Sequence, residues 1–545
     1  MKKYLFLSAL FCTALGMNAQ WPTSYEGEPV QMTPDLQDYG DETVTNCHGV
    51  TFNVQYVAQH GTGGVDDMEY VISIVDKDGH NVTTLDKGLG LGIFQNRSWT
   101  AYNNTLYCDR DGNLLVGAND CRNNPDPKTA AVGYTLYKIS EKGEILWQVD
   151  LADKAVYPIT TSFGIAQDGA GDYICCYTAP DVNAPGNYTY IEMEKISKDG
   201  KSIWRTKLHD PEFNYIYNYP YLVQGPEGDV VMVYAYGSNQ DLYASRISTA
   251  DGSQVWKTRF YRSGFATSGS AIWNYVRVCS DGKGGVFTLW FDDRANDGYW
   301  QAYVNYVDAE GKIAYPNKMN GVKVAYNGED YAGFSHSNMA FCHSEKEQCV
   351  YVALRHYDTG GGSTNGILVQ KISDEGELLW DAEGIFVETT VKNLAVANPQ
   401  PQPAPDGGCV VFYQTGNSMS QYGGKNNCAA KYGPDGTKEW SLKTDHYFTY
   451  KTNLRSSDLI DDSYWVINWE DQRKLPFPPA GCFPRYAARI NADGTFGDPE
   501  GIQSTSLTTY EGAQYYDVTG KQLLAPAKGL NIVKTPAGVK KQVRK

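Results

Sequence analysis

The sequence predicts an all-β fold made of repeated four-stranded antiparallel units. One motif recurs along the chain: an alternating run, a short turn ending in glycine, then a tryptophan four residues later, as in YKISEKGEILW at 137–147 and QKISDEGELLW at 370–380. A second hairpin precedes it in most units, and no long window has helical periodicity. Four short strands repeated at this period predict a β-propeller. The eight turn glycines lie 52 to 65 residues apart at Gly79, Gly143, Gly200, Gly252, Gly311, Gly376, Gly436 and Gly494.

The number of copies favours eight blades, with seven as the alternative. The first unit offers three good strand candidates around 51–83, and the last repeat lacks its tryptophan. Because an incomplete blade would expose an unpaired edge, we expect the two chain ends to complete one blade together. The predicted propeller spans 46–502 and follows an N-terminal extension at 20–45. The recurring tryptophans are expected to pack neighbouring blades together: Trp147, Trp204, Trp256, Trp380 and Trp440.

The N-terminus predicts export. Lys2 and Lys3 precede an apolar run at 4–15, and Ala19 provides a small residue for cleavage, so residues 1–19 are interpreted as a signal peptide. No later run reaches the roughly 18 apolar residues of a membrane span, so none is expected. A formal charge of −16 over 545 residues argues against a nucleic-acid partner. We therefore expect a secreted or outer-membrane surface protein.

Cysteine usage predicts one disulfide and no zinc site. Twelve cysteines become eleven after removal of the signal peptide, so at least one thiol stays unpaired. Cys342 and Cys349 flank a hairpin-like turn at 343–348 and are the predicted disulfide. No Cys/His spacing typical of zinc occurs. No cofactor is expected, although acidic residues at two strand ends could bind a structural calcium ion through oxygen ligands: Asp292, Asp293, Glu470 and Asp471.

Two segments carry a resemblance to known families. The runs Trp290-Phe291-Asp292-Asp293-Arg294 and Trp469-Glu470-Asp471-Gln472-Arg473 resemble bacterial secreted propellers with W-x-D-x-R repeats, over roughly 46–500. This resemblance implies the fold far more than a function. In these runs the better interpretation of the acids is an Asp–Arg brace that holds the loop.

The tail at 503–545 resembles the C-terminal sorting domain of type IX secretion cargo in the Bacteroidetes. The match rests on Tyr516-Asp517-Val518-Thr519-Gly520-Lys521 and on a basic terminus at 540–545. From Gly520 onward there are seven Lys or Arg and no Asp or Glu. A merely basic pair of β-strands would explain the charge but not the ordered glycines. The resemblance implies a short β tail that engages the type IX secretion machinery.

Loop length divides the predicted propeller into two faces. The turns joining strands one to two and three to four are tight and lie on one face, here called the tight-turn face. The connections from strand two to three and from four to the next blade are long and lie on the opposite, long-loop face. Long loops on a rigid scaffold are where binding tends to reside. Their aromatic residues are the predicted ligand contacts: Tyr188, Tyr215, Tyr217, Tyr219, Trp273, Trp300 and Tyr331.

These patterns favour a binding module for an extracellular glycan or protein. A polysaccharide lyase or glycoside hydrolase is the alternative, and a structural or adhesion role is the third. If the chain is an enzyme, His336, Arg355 and His356 are the candidates, because antiparallel pairing would bring them to the long-loop face. There a His with Tyr or Arg could abstract a proton beside a uronate carboxylate. The acids near Asp292 and Glu470 could serve glycoside hydrolysis.

Overall fold

A computed structural model shows a fold built almost wholly of strands. It describes residues 21–22, 29–34, 38–58, 68–93, 106–120, 133–151, 163–179, 190–209, 220–236, 241–262, 276–292, 300–316, 318–325, 334–358, 365–390, 395–416, 425–443, 451–471, 484–497, 514–516, 521–523, 529–535 and 538–544. Within them, helix is limited to single 3-10 turns at Pro226–Gly228 and Lys318–Asn320. None of the helices in these ranges is long and apolar enough to cross a membrane.

Eight four-stranded antiparallel sheets form the blades of a β-propeller, which confirms the predicted fold and blade count. The first strand along the chain is β1 (Val30–Gln31). Blade 1 comprises β2 (Asp38–Thr45), β3 (Thr51–Ala58), β4 (Met68–Val75) and β5 (Leu89–Ile93), and blade 2 comprises β6 (Leu106–Cys108), β7 (Leu114–Asp120), β8 (Gly133–Ile139) and β9 (Ile145–Asp150). Blade 3 comprises β10 (Phe163–Gln167), β11 (Tyr173–Ala179), β12 (Tyr190–Ile196) and β13 (Ser202–His209), and blade 4 comprises β14 (Tyr221–Gln224), β15 (Val230–Tyr236), β16 (Asp241–Ile247) and β17 (Gln254–Tyr261).

Blades 5 to 8 follow the same order from the innermost strand outward. Blade 5 comprises β18 (Arg277–Ser280), β19 (Val286–Asp292), β20 (Gln301–Val307) and β21 (Val322–Lys323), and blade 6 comprises β22 (Phe334–Ser344), β23 (Cys349–Asp358), β24 (Asn365–Ser373) and β25 (Ile385–Thr390). Blade 7 comprises β26 (Ala395–Pro403), β27 (Cys409–Gly416), β28 (Lys425–Tyr432) and β29 (Lys438–Lys443). Blade 8 comprises β30 (Lys451–Ser456), β31 (Tyr464–Asp471) and β32 (Arg485–Asn491), with β1 as its fourth strand.

The two ends of the propeller sequence share the outer strand of blade 8. Val30 pairs with Ala487 and Gln31 with Tyr486, while Phe496 forms an isolated bridge to Ile490 nearer the turn. This arrangement confirms the predicted closure. It also places the extension predicted at 20–45 inside the propeller, because β2 is the innermost strand of blade 1.

Most of the tight turns in the described residues are built by a side-chain cap and a glycine. In blade 2 the carboxylate Oδ1 of Asp109 accepts the backbone N–H groups of Asp111 and Asn113 at 3.0 and 2.8 Å. Gly112 then adopts φ +84°, in the left-handed region that favours glycine. Ser373 caps Glu375 and Glu377 in the same way in blade 6. The recurring glycine is therefore required by the turn itself.

The recurring tryptophans join each blade to the next, as predicted. Trp147 of blade 2 donates its indole N–H to the Lys198 carbonyl in the turn of blade 3, at 2.9 Å. A Cβ added at Gly200 of that turn would lie 2.8 Å from the Trp147 ring. Trp256 repeats this contact two junctions further on, donating to the Ala309 carbonyl at 3.1 Å. Ring and glycine thus fit as one joint.

Other side chains occupy this position where the repeat lacks a tryptophan. Tyr315 lies against the blade 6 turn and donates to the Ser373 carbonyl at 3.2 Å. Trp21 does the same at the closing junction: it donates to the Lys77 carbonyl in blade 1 at 2.7 Å and is 2% exposed. The tryptophan missing from the last repeat is therefore supplied from the N-terminal side of β1.

The apolar core lies between the blades. One cluster joins Phe52 and Ile72 of blade 1 to Leu114 and Tyr137 of blade 2. The closing junction has its own cluster, in which Trp21 packs with residues of blades 8 and 1. Stability is therefore distributed around the ring.

The predicted Cys342–Cys349 disulfide is wrong in this structure, because both cysteines are free. Across the hairpin, Cys342 pairs with Tyr351 and Cys349 with Ser344. The thiols are thus diagonal neighbours two residues out of register. Diagonal neighbours lie about 7–8 Å apart, at or beyond the reach of a disulfide.

The tail forms a ninth four-stranded sheet, in the order β34 (Gln522–Leu523), β33 (Gln514–Tyr516), β35 (Gly529–Thr535) and β36 (Gly538–Arg544). All its pairings are antiparallel, with Val533 opposite both Tyr515 and Lys540. The short β tail predicted from the sequence is thus a complete small sheet.

Candidate functional site

The predicted aromatic contacts lie mostly outside the described residues. These are Tyr188, Tyr215, Tyr217, Tyr219, Trp273 and Tyr331. Trp300 is described: it directly precedes β20, is half-buried, and packs against the core shared by blades 5 and 6. Part of its surface therefore stabilises the fold, and the role of the whole aromatic set stays a prediction.

The predicted His and Arg candidates lie together at the long-loop end of blade 6. In the β22–β23 pair, His336 is directly opposite His356 and Ser337 is opposite Arg355. This register confirms the predicted juxtaposition of the backbones. His356 is 3% exposed and contacts the Phe386 ring edge-on, with centroids 5.4 Å apart. The imidazole of His356 is therefore part of the packed blade.

The innermost strands of blades 6, 7 and 8 all break register at this end. In each, two residues face one residue of the neighbouring strand, so that one extra residue forms a bulge. The bulged pairs are 338–339, 398–399 and 453–454, and each begins with asparagine. Asn398 and Asn453 both adopt φ +51°, a conformation that asparagine tolerates better than most residues. Such bulges redirect a strand and are common beside functional sites.

In blade 8 the bulge starts a buried polar network. Asn453 donates its side-chain amide to the Glu470 carboxylate on β31. Arg485 on β32 is 1% exposed; its Nη1 donates to the Asn468 side chain at 2.6 Å and to the Asn453 carbonyl at 3.1 Å. Its Nη2 lies 3.5 Å from Glu470 Oε1. Three strands are thereby tied together by a paired charge.

Blade 7 repeats the network with neutral groups. Asn398 donates to Gln414 Oε1 at 3.0 Å, and Gln414 donates onward to Asn427 Oδ1 at 2.9 Å. Gln414 and Asn427 are 0% and 3% exposed. Their hydrogen bonds offset the cost of burying two amides.

These positions correspond from blade to blade. The residue before each bulge pairs with Arg355, Gln414 or Glu470, so these three occupy one equivalent position. Together with their neighbours they form what we call the polar rim: Arg355, His356, Gln414, Asn427, Glu470 and Arg485. The long connections at 359–364, 417–424 and 472–483 follow the strands that carry them.

Other blades have apolar residues at the same places. The cross-strand pair Glu470–Arg485 of blade 8 corresponds to Phe291–Ala302 in blade 5, since the Trp-x-Asp runs align. Blade 4 has Ala235 opposite Leu242. Because blades 4 and 5 form with apolar residues at these positions, the polar rim is not required by the propeller fold.

The acids predicted as hydrolytic or metal-binding groups do not form one site. Asp292 and Asp471 are both fully buried, and each accepts an indole N–H, from Trp290 at 3.0 Å and from Trp469 at 3.1 Å. They belong to blades 5 and 8, which are not neighbours. Glu470 faces Arg485, as described above. Asp293 and the predicted bracing partners Arg294 and Arg473 lie outside the described residues.

One other group of potential metal ligands is close together in the described residues. The side chains of Asp76, Asp78 and His80 lie within 4.8 Å of one another. Asp76 Oδ1 accepts the backbone N–H groups of Asp78 and His80 at 3.0 and 2.8 Å. This is the same turn cap that Asp109 makes, so turn geometry explains the cluster.

Sequence reasoning missed the bulge asparagines and their partners Gln414, Asn427 and Arg485. A signal exists in the repeats: an asparagine followed by an apolar residue or proline on the innermost strand, as Asn338-Met339, Asn398-Pro399 and Asn453-Leu454. It is visible only once the innermost strands are aligned, since the chain around it has no turn glycine.

No protein-family model matches the chain, and a search of curated proteins finds no match. Among solved structures it is similar to the Dos1 propeller, with TM-score 0.43 and 12% identity over 84% of this chain and 94% of that chain. It is also similar to a Penicillium chrysogenum α-L-arabinanase complexed with arabinobiose (TM-score 0.31, 13% identity, covering 61% and 93%). A protein of unknown function from Bacteroides caccae gives TM-score 0.29 and 14% identity, covering 51% and 81%. Scores at this level carry no inference about ligand or activity.

Proposed function

We propose that this chain is an exported binding propeller that recognises an extracellular glycan or protein through its long-loop face. The observation that carries the proposal is the polar rim, where blades 7 and 8 bury hydrogen-bonded polar pairs at positions that are apolar in blades 4 and 5. Burying polar groups brings little net stability even when they are paired. A rigid polar floor beneath the loops of three consecutive blades is better explained by ligand recognition.

Binding is favoured over catalysis because the carboxylates that were candidates for hydrolysis are already engaged in the described part of the chain. Asp292 and Asp471 each accept an indole N–H, and Glu470 faces Arg485. A glycosidase needs two carboxyl groups flanking one bond, about 5–9.5 Å apart. Acids held in separate blades and bound to their own frameworks do not suit that chemistry.

The binding test uses a glycan array and a double substitution that copies blade 5. Glu470→Phe with Arg485→Ala replaces the charged pair by the residues found at the equivalent place. We expect a folded protein that loses glycan binding by about tenfold or more. The matched control is Glu194→Leu with Arg205→Ala, which removes another ion pair, 2.8 Å long, from blade 3 outside the rim. Equal binding by wild type and the rim variant would overturn the proposal, as would equal loss in both variants.

A lyase is the second candidate, because the register places His336 opposite His356 and Ser337 opposite Arg355. Incubation with acidic polysaccharides, followed by ultraviolet absorbance of unsaturated uronate products, separates it from the binding module. Turnover in the wild type that disappears in His336→Ala would favour the lyase. Glycan binding without turnover favours the module, and neither result favours a structural or adhesion role.

Export by the type IX route is part of the proposal. It rests on the resemblance of the tail to a sorting domain and on the signal-like N-terminus. Deleting residues 515–545 should leave the protein in the periplasm. A tail with the same residues in shuffled order separates ordered glycine spacing from basic charge. Surface display of the deleted form would refute this part of the proposal. Display of the shuffled form, with the deleted form retained in the periplasm, would show that basic charge suffices.

A further inference from the structure

A cavity of about 710 Å³ opens on the tight-turn face, opposite the proposed binding face. It lies where the innermost strands of blades 8, 1 and 2 run into their turns, and this volume is within the roughly 300–1,000 Å³ of ligand pockets. Apolar and aromatic side chains form much of its wall, among them Val44, Leu106, Tyr107, Leu459 and Ile460.

The lining of this cavity carries three carboxylates, from Asp109, Asp458 and Asp461, and one guanidinium, from Arg110. Lys138 lies 3.0 Å from the Asp109 carboxylate, and Tyr173 donates to it at 2.8 Å. The Arg110 guanidinium is directed to the Gln167 carbonyl, 3.5 Å away. Asp458 is exposed to the cavity, and among the described residues no side chain hydrogen-bonds or ion-pairs with its carboxylate.

Asp458 lies in the turn between β30 and β31, directly after the innermost strand of blade 8. Its carboxylate lines the cavity together with residues of blades 1 and 2. The pKa values of Cys279 in blade 5 and Cys342 in blade 6 are raised chiefly by burial of the thiols, and the charge of Asp458 adds to this increase. Surrounding protein also raises the pKa of Asp458 itself above its usual range. An ionised carboxylate in such a place gains from a cationic partner.

The ligand class follows from these walls. A metal ion would need several ligand atoms close together, and the group of that kind in the described residues lies at Asp76, Asp78 and His80. The carboxylate of Asp458, with Asp461 beside it and aliphatic and tyrosine surface around it, instead suits a cation on an apolar stem. We propose that this cavity binds a protonated alkylamine, with Asp458 as its counter-ion. The amine could be a small molecule or a lysine side chain, and the two sources share this chemistry.

The test is calorimetric titration of the full chain with n-butylammonium chloride near neutral pH, with n-butanol as the uncharged analogue. We expect saturable binding of one equivalent of amine and none of the alcohol. Asp458→Asn should weaken binding about tenfold or more, and Asp461→Asn, which also changes the cavity lining, should weaken it less. Asp462→Asn is the matched control, because Asp462 is exposed next to the cavity but does not line it.

Two results would overturn the proposal: no saturable binding of the amine by the wild type, or the same loss in Asp462→Asn as in Asp458→Asn. Circular dichroism of each variant checks that the fold is retained. A parallel titration with N-acetyl-lysine methylamide identifies the source of the ligand. Tighter binding of this compound than of n-butylammonium supports a lysine side chain, and weaker binding supports a small free amine.

Discussion

Closure of the ring predicts that Trp21 contributes to stability as much as a tryptophan inside a repeat. Its indole is 2% exposed and donates to the Lys77 carbonyl at 2.7 Å. A Cβ added at Gly79 would lie 3.0 Å from the ring, so the joint is tightly packed. Removing a buried tryptophan side chain costs about 3–5 kcal/mol. We expect Trp21→Ala to lower the free energy of unfolding by this amount, and Trp21→Phe by about 1–2 kcal/mol, chiefly the lost hydrogen bond.

The measurement is equilibrium unfolding in urea followed by far-ultraviolet circular dichroism, since fluorescence would change with the substitution itself. Trp256→Ala is the reference, because that indole makes the same contact, 3.1 Å to the Ala309 carbonyl, at an internal junction. Comparable losses in both variants support closure through Trp21. A change below about 0.5 kcal/mol in Trp21→Ala, the range of ordinary surface substitutions, beside a large loss in Trp256→Ala, would refute it.

Three further predictions concern turns, a cavity carboxylate and thiols. Gly200→Ala should lower the free energy of unfolding in urea by about 1–3 kcal/mol more than Gly143→Ala does. Both glycines adopt φ near +80°, but an added Cβ would lie 2.8 Å from an indole at Gly200, whereas its nearest neighbour at Gly143 would be 3.5 Å away. Equal losses would contradict the close packing of Trp147 on Gly200. Asp458→Asn should stabilise the protein at neutral pH, because desolvation by the surrounding protein raises the pKa of this carboxyl even though its side chain borders the open cavity; the advantage should shrink as pH falls through the raised pKa, where the wild type becomes neutral too, and an advantage independent of pH would contradict this origin. Cys342 and Cys349 should both be alkylated after unfolding without reductant, as mass spectrometry of their peptides would show. Protection of both thiols from alkylation that is lost on adding reductant would instead support the disulfide predicted from the sequence.

The blades were predictable because their signals are local. A turn such as 109–113 requires a capping Asp or Ser and a glycine at positive φ, and these residues occur within one short window. Closure was predictable only as a need for an edge partner. Trp21 itself has no glycine four residues before it, and it meets Lys77 through a junction that local sequence does not encode. The strand β2, DYGDETVT, was missed because its acids obscure the alternation.

Register limited what could be predicted at the site. The long-loop face was identified from turn lengths. The pairing of His336 with His356 follows from counting residues along the two strands of the hairpin away from its turn. The same counting failed for Cys342 and Cys349, where two positions decide between facing and diagonal thiols. The bulges at Asn398 and Asn453 shift the register by one residue, and their effect depends on partners on two other strands.

Repetition offers a criterion for separating braces from functional polar groups in this fold. On the tight-turn side, a basic residue of the third strand pairs with an acid of the first turn in blade after blade: Lys138 with Asp109 at 3.0 Å, Lys195 with Asp168 at 2.7 Å, and Arg246 with Asp229 at 2.7 Å. In blade 5, Tyr306 replaces the basic residue and donates to Asp281 at 2.6 Å. The recurrence of these contacts indicates that they brace the blade. The polar rim and Asp458 lack this recurrence. Blades 4 and 5 fold with apolar residues at the rim positions, and Asp458 has no basic partner among the described residues. Selection for folding alone does not account for either, which is why we propose a ligand on the long-loop face and another on the tight-turn face.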